Sequence, residues 1–136
     1  VCKIKDVCLN GPNWLKIIGE EFIENRVIPK LEGHDKFHAH VAKNTLGIVL
    51  REIMLLRDYD EKEMARLKNI LSKDDNIKEL NKLLSEKIRN GEININDDSL
   101  KDHLVRTTMA KLSIDQPHYS GYLKGKEDNY PNDSES

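Results

Sequence analysis

An all-α fold is what this sequence predicts, a single-domain bundle of about five helices. Three observations carry that expectation. Apolar residues recur at spacings of three and four in every apolar segment, the period of a helix with one buried face. Aromatic residues are only 5% of the chain, and no stretch keeps the strict alternation of a half-buried strand. The connections are short, polar and marked by Gly, Asn or Pro. Helices joined this way bury their apolar stripes against one another.

Residues 1–12 read as an irregular lead-in ending in the turn signal "NGP". A first helix is expected over about 13–31, with Trp14, Ile18 and Phe22 at i+4 and Leu15 beside them. Ile23, Val27 and Leu31 form a neighbouring ridge. Pro29 should kink or end this helix, because it lacks an N–H and crowds the preceding turn. Gly33 closes it. A second helix is expected over about 35–56 and a third over about 60–71, with Met64, Leu67 and Leu71 on one stripe. After the polar break "SKDDN", a fourth helix over about 76–89 puts Ile77, Leu80, Leu84 and Ile88 on one face, and Asn90-Gly91 stops it. "EININ" is expected to be a short extended link. The last helix starts behind the capping cluster Asp97-Asp98-Ser99 and ends before Pro117. The helical domain thus spans 13–123. From Lys124 to Ser136 the sequence is polar and aperiodic, the composition of a disordered tail.

The totals exclude several functions. The chain has 136 residues, the size of one domain. Its formal net charge of −2 is not the basic excess of a nucleic-acid binder. No apolar run approaches the roughly 20 residues that span a bilayer, and "VCKIKDVCLN" is too polar for a signal peptide. With only Cys2 and Cys8 and no C-x-x-C, the expectation is two free thiols in a reducing cytoplasm. A chain opening on Val rather than Met is expected to be a fragment, a processed form or a domain cut from a longer protein.

The long second helix carries the candidate site residues. Ala42, Leu46, Val49, Ile53 and Leu56 form one apolar row, and Val41, Thr45, Ile48 and Leu55 the row beside it. Extended backwards, the first row meets His38; the second passes through Glu52. Both are therefore expected to point into the bundle. Fourteen residues separate them, roughly 20 Å along a helix axis, so each needs a partner from elsewhere. In the last helix, Leu100, Leu104 and Thr108, flanked by Val105 and Leu112, make the apolar row, and Lys111 and Asp115 continue it. This suggests a buried Glu52–Lys111 pair, with Asp115 a candidate partner for His38. His103 and Arg106 fall off the row and are expected to meet solvent. His40, Asn44, Gly47 and Arg51 form a separate ridge, either solvated or a contact surface on which Gly47 admits a neighbouring helix.

No complete reactive constellation is visible. His34 and His38 stand at i, i+4, but no third ligand is within reach, so no metal or other cofactor is expected. Ser113 and Ser120 have no activating motif nearby, and the glycines are isolated rather than gathered into a phosphate loop. His38 is read as a structural histidine, with acid–base catalysis the rival.

Two segments, "VIPKLEGHDKFHAHVAKNTLGIVLRE" (27–52) and "HLVRTTMAKLSIDQPHYSGY" (103–122), resemble an uncharacterised bacterial family of small helical proteins. Its members carry F-H-x-R-V-A-x-N followed by R-E, and later K-L-x-I-D-x-P-x-Y. "ELNKLLSEKIRNGEI" is similar to the family's middle helix. Phe37, His38, Val41, Ala42, Asn44, Arg51 and Glu52 match the first motif. Lys111, Leu112, Ile114, Asp115, Pro117 and Tyr119 match the second. His40 departs, standing where the family has Arg. The family is encoded beside, or fused to, aminoglycoside-phosphotransferase-like kinases and acyl-CoA dehydrogenases. The resemblance therefore implies a non-catalytic accessory protein working with such a kinase, and with an acyl-CoA dehydrogenase, in acyl-CoA catabolism. The alternative is a small-ligand binder or enzyme with a pocket lined by His38, Asn44 and Lys111.

Overall fold

The computed structural model describes residues 16–133. The described chain is all helix, turn and loop, with no strand among the described residues. The expected lead-in lies outside the described residues. The described residues form five helices: α1 (Ile17–Val27), α2 (Gly33–Leu71), α3 (Ile77–Arg89), α4 (Asp98–Asp115) and α5 (Ser120–Glu127). Among the described residues, no helix is long and apolar enough to cross a membrane. The chain divides into two compact units, Val1–Leu55 and Leu56–Ser136.

The N-terminal unit holds α1 and the first part of α2. α1 is π-wound, and the Ile28 N–H continues its wide spacing by donating to the Ile23 carbonyl. Pro29 ends it. Without an N–H the chain tightens into the 3₁₀ turn Ile28–Lys30, and Leu31 is extended. Gly33 then adopts φ +55°, a left-handed conformation that costs glycine little, and leads into α2. Lys43 on α2 pairs with Glu24 on α1.

One expected boundary is absent. The second and third helices are a single helix of 39 residues. The segment "RDYDEKE" between them has no Gly or Pro, and two i,i+4 ion pairs bridge it: Arg57–Glu61 at 3.1 Å and Lys62–Asp58 at 3.1 Å. A polar stretch of good helix formers continues a helix as readily as it interrupts an apolar row. The expected core row of this helix also differs. Val49, Ile53 and Leu56 are exposed, Ala42 is exposed, and only Leu46 is half-buried.

The C-terminal unit has a defined core. Leu67 of α2, Leu80 and Leu84 of α3 and Leu100 of α4 are buried together, with Met64, Leu71, Ile77, Ile88 and Ile93 packed around them. Each such side chain contributes about 1.5–3 kcal/mol of transfer free energy. The caps match expectation. The Asn76 side chain accepts from the Glu79 N–H at 3.0 Å, and Gly91, at φ +72°, closes α3 while its N–H bonds to the Ile88 carbonyl. The Asp97 carboxylate accepts from the Ser99 and Leu100 N–H groups. The link 91–97 is built of turns, with the Asp97 N–H donating to the Asn94 carbonyl.

The ordered chain runs further than its composition suggests. α5 continues through Lys124 to Glu127, with Tyr122 and Gly125 buried. A Cβ at Gly125 would stand 3.1 Å from Met109 Sδ, so its bare backbone lets α5 close on α4. Asn129, at φ +55°, reverses the chain, and Asn132 and Asp133 are buried.

Candidate functional site

In the N-terminal unit the first motif lies along α2 on the surface. His38 is exposed, not buried. Its ring lies 6.5 Å from that of His34 and edge-on to Phe37 at 5.7 Å. The row expected to bury it, through Ala42 and Val49, is itself exposed. Asn44 and Glu52 are exposed as well, and Arg51 is half-buried. Gly47 makes room for Arg51, since a Cβ there would lie 3.2 Å from the guanidinium Nη1. The space expected to admit another helix is used by a side chain of the same helix.

The second motif lies in the C-terminal unit. Lys111 and Asp115 are exposed on α4, so neither Glu52 nor Lys111 is the buried member of an ion pair. The cause is a rotation of the buried face. α4 buries Leu100, His103, Ala110 and Ile114, with Thr107 half-buried between them. That is a 3,4,3,4 row turned away from the expected Leu100–Leu104–Thr108 row, and Leu104 is 48% exposed. Tyr119 and Leu112 are motif residues that meet a concave surface. They line an apolar cleft of about 320 Å³ with Leu104, Val105, Met109 and Tyr130. The Tyr119 ring packs over Gly121, where a Cβ would come within 2.6 Å of Cε1.

Sequence reasoning missed the polar cluster of this unit. Asp133 is 5% exposed, and Arg66 Nη1 donates to both of its carboxylate oxygens at 2.9 Å. Lys62 Nζ donates to the Asp133 carbonyl at 2.7 Å. Arg106, expected in solvent, donates from Nε to Asp102 at 2.8 Å, and its Nη1 lies 3.8 Å from Asp133 Oδ1. The buried Glu63 carboxylate accepts from Asn81 Nδ2 at 2.7 Å. The available signal was the run Arg66, His103, Arg106 and Thr107 at positions that face one another when α4 is turned to its buried register.

His103, also expected in solvent, is 1% exposed, and its Nδ1 has no hydrogen-bond partner among the described residues. Burial pushes its pKa below the usual imidazole range, and the Arg66 charge adds to this; Glu63, Asp102 and Asp133 oppose it. The unfolded chain takes up this proton near pH 6.5, and the folded chain only at lower pH. Stability is therefore fully present above about pH 6.5 and falls as pH drops below it, at no more than about 1.4 kcal/mol per pH unit from this group. Denaturant unfolding between pH 7.5 and 5 checks this. His103→Gln should flatten the profile, and an unchanged slope in the variant contradicts the assignment.

Arg66, Lys62 and Arg106 tie α2 and α4 to the C-terminal segment through Asp133, and the imidazole sealed beside them offers no opening to a substrate. Among the described residues, no group of three or more His, Cys, Asp or Glu side chains is placed to hold a metal ion. No curated protein and no solved structure matches the chain. Residues 29–119, which run from Pro29 through both motifs to Tyr119, match the domain of unknown function DUF6285. On that match, which covers more than half of its length, the chain belongs to the DUF6285 family.

Proposed function

We propose that this protein is a cytoplasmic, non-catalytic accessory protein that docks on a phosphotransferase-like kinase. An acyl-CoA dehydrogenase acting in the same acyl-CoA catabolism is a second partner. One observation carries this reading. Phe37, which opens the first motif, is 62% exposed, and the exposed Val41 stands one turn further on. An aromatic of the motif held at the surface is the kind of side chain that an interface buries. His38 and Asn44 border it as the polar rim such a face requires. The resemblance to proteins encoded beside these enzymes supplies the partner class. Co-purification of the full chain with the kinase-like protein is the test, with kinase activity compared in its presence and absence. Failure of both to respond to the chain removes the proposal.

A second reading rests on Tyr119 and Leu112, motif residues in the α4–α5 cleft. At about 320 Å³ the cleft is at the small end of ligand pockets, and its lining is almost wholly apolar. A small apolar ligand there would raise the melting temperature without any partner. The lack of convergent polar groups makes this the weaker reading.

A further inference from the structure

We propose that the bare stripe of α2 is the seam of a parallel homodimer, occupied by a second copy of this chain. Ala39, Ala42, Leu46, Val49, Ile53 and Leu56 follow one another at intervals of three, four, three, four and three, the a/d pattern of a coiled coil. Ile53 is 60% exposed, and Val49 and Leu56 are exposed beside it. A helix of this length with such a row gains nothing from leaving it in water. The pattern stops for a reason visible in the sequence. The next positions on the stripe are Asp60 and Glu63, and Glu63 and the Leu67 that follows are buried in the core of the C-terminal unit. The seam is thus confined to about 18 residues, roughly 27 Å of helix.

Charge complementarity identifies the occupant. The flanking positions on one side of the stripe are His38, Thr45 and Glu52, and on the other Lys43, Leu50 and Arg57. In a parallel, in-register pair, each residue of the first set faces the position five further on in the partner helix. Glu52 of one copy then meets Arg57 of the other, and two-fold symmetry repeats the pair. Leu50 extends the apolar seam opposite Thr45. An antiparallel pair centred on the same stripe would instead set Lys43 near Leu50 and Thr45 near Glu52, so the Glu52–Arg57 exchange would not be made. Arg57 is available for the exchange: it pairs with Glu61, and the side chains of that pair are 92% and 62% exposed. This seam occupies a different ridge of α2 from Phe37 and Val41, so it goes beyond the partner reading and does not depend on it.

Sedimentation equilibrium of the full chain up to about 100 micromolar tests the proposal by mass action. The expected result is a monomer–dimer equilibrium. Ile53→Asp should be monomeric with an unchanged helical circular dichroism spectrum. Because that change is drastic, the charge variants are the more discriminating arm. Glu52→Arg and Arg57→Glu should each weaken the dimer at least about tenfold, and the double swap should restore it. A wild-type chain that stays monomeric throughout overturns the proposal, as does a trimer or larger assembly. A dimer indifferent to the charge swap overturns it too, because its copies would then meet elsewhere or in the opposite sense.

Discussion

Asp133→Ala is expected to destabilise the fold by about 3 kcal/mol, the lower end of what breaking a buried ion pair costs. Two cations lose a partner in this change. The Arg66 guanidinium gives up two hydrogen bonds to one carboxylate, and Arg106 loses the opposite charge 3.8 Å from its Nη1. The Arg66 side chain is only 17% exposed, so water restores little of what is lost. Asp133→Asn keeps the shape and one acceptor and should cost about half as much. Urea unfolding of the two variants measures this, and the alanine variant should melt about 10 °C below the wild type. A change under 1 kcal/mol would show that residues 128–133 do not hold α2 and α4 together.

Leu67→Ala should cost about 3–4 kcal/mol, because the side chain is fully enclosed by Leu80, Leu84 and Leu100 and its removal leaves a cavity. Leu104→Ala is the matched control. It removes the same atoms from a side chain that is 48% exposed, and should cost about 1 kcal/mol or less. The pair tests the register of α4 as well as the core. On the row Leu100–Leu104–Thr108 both leucines would be buried and both changes would be severe. Equal losses in the two variants would return α4 to that register.

Where local chemistry decides, the sequence was readable. Asn76, Asp97 and Asn90-Gly91 mark helix ends that the structure keeps, because a cap is made by residues a few positions apart. The face Ile77–Leu80–Leu84–Ile88 was legible because α3 has one apolar row and polar residues elsewhere. α4 has two candidate rows, and the choice between them rests on where Arg106 finds its partners. Those partners include Asp133, about thirty residues away in a stretch with no periodicity, and no local pattern announces it. The merging of the second and third helices was hidden for a related reason. Arg57 to Glu63 breaks the apolar row without breaking the helix, since charges at i and i+4 support the backbone they decorate. Of the candidate site, the motif positions were identifiable but their burial was not. His38 and Glu52 fall on apolar rows of α2, and a row shows only which side chains share a face. Whether anything in the same chain covers that face is a tertiary fact.

The central claim is that the surface around Phe37 is a docking face. Titration of the kinase-like phosphotransferase with the full chain, wild type against Phe37→Asp, tests it most directly. The reading predicts binding by the wild type and a loss of about 30-fold or more in the variant, the scale of an aromatic hot spot, with no fall in melting temperature because Phe37 supports no core. Equal affinity in a fully folded Phe37→Asp variant, or no binding by the wild type, would contradict it.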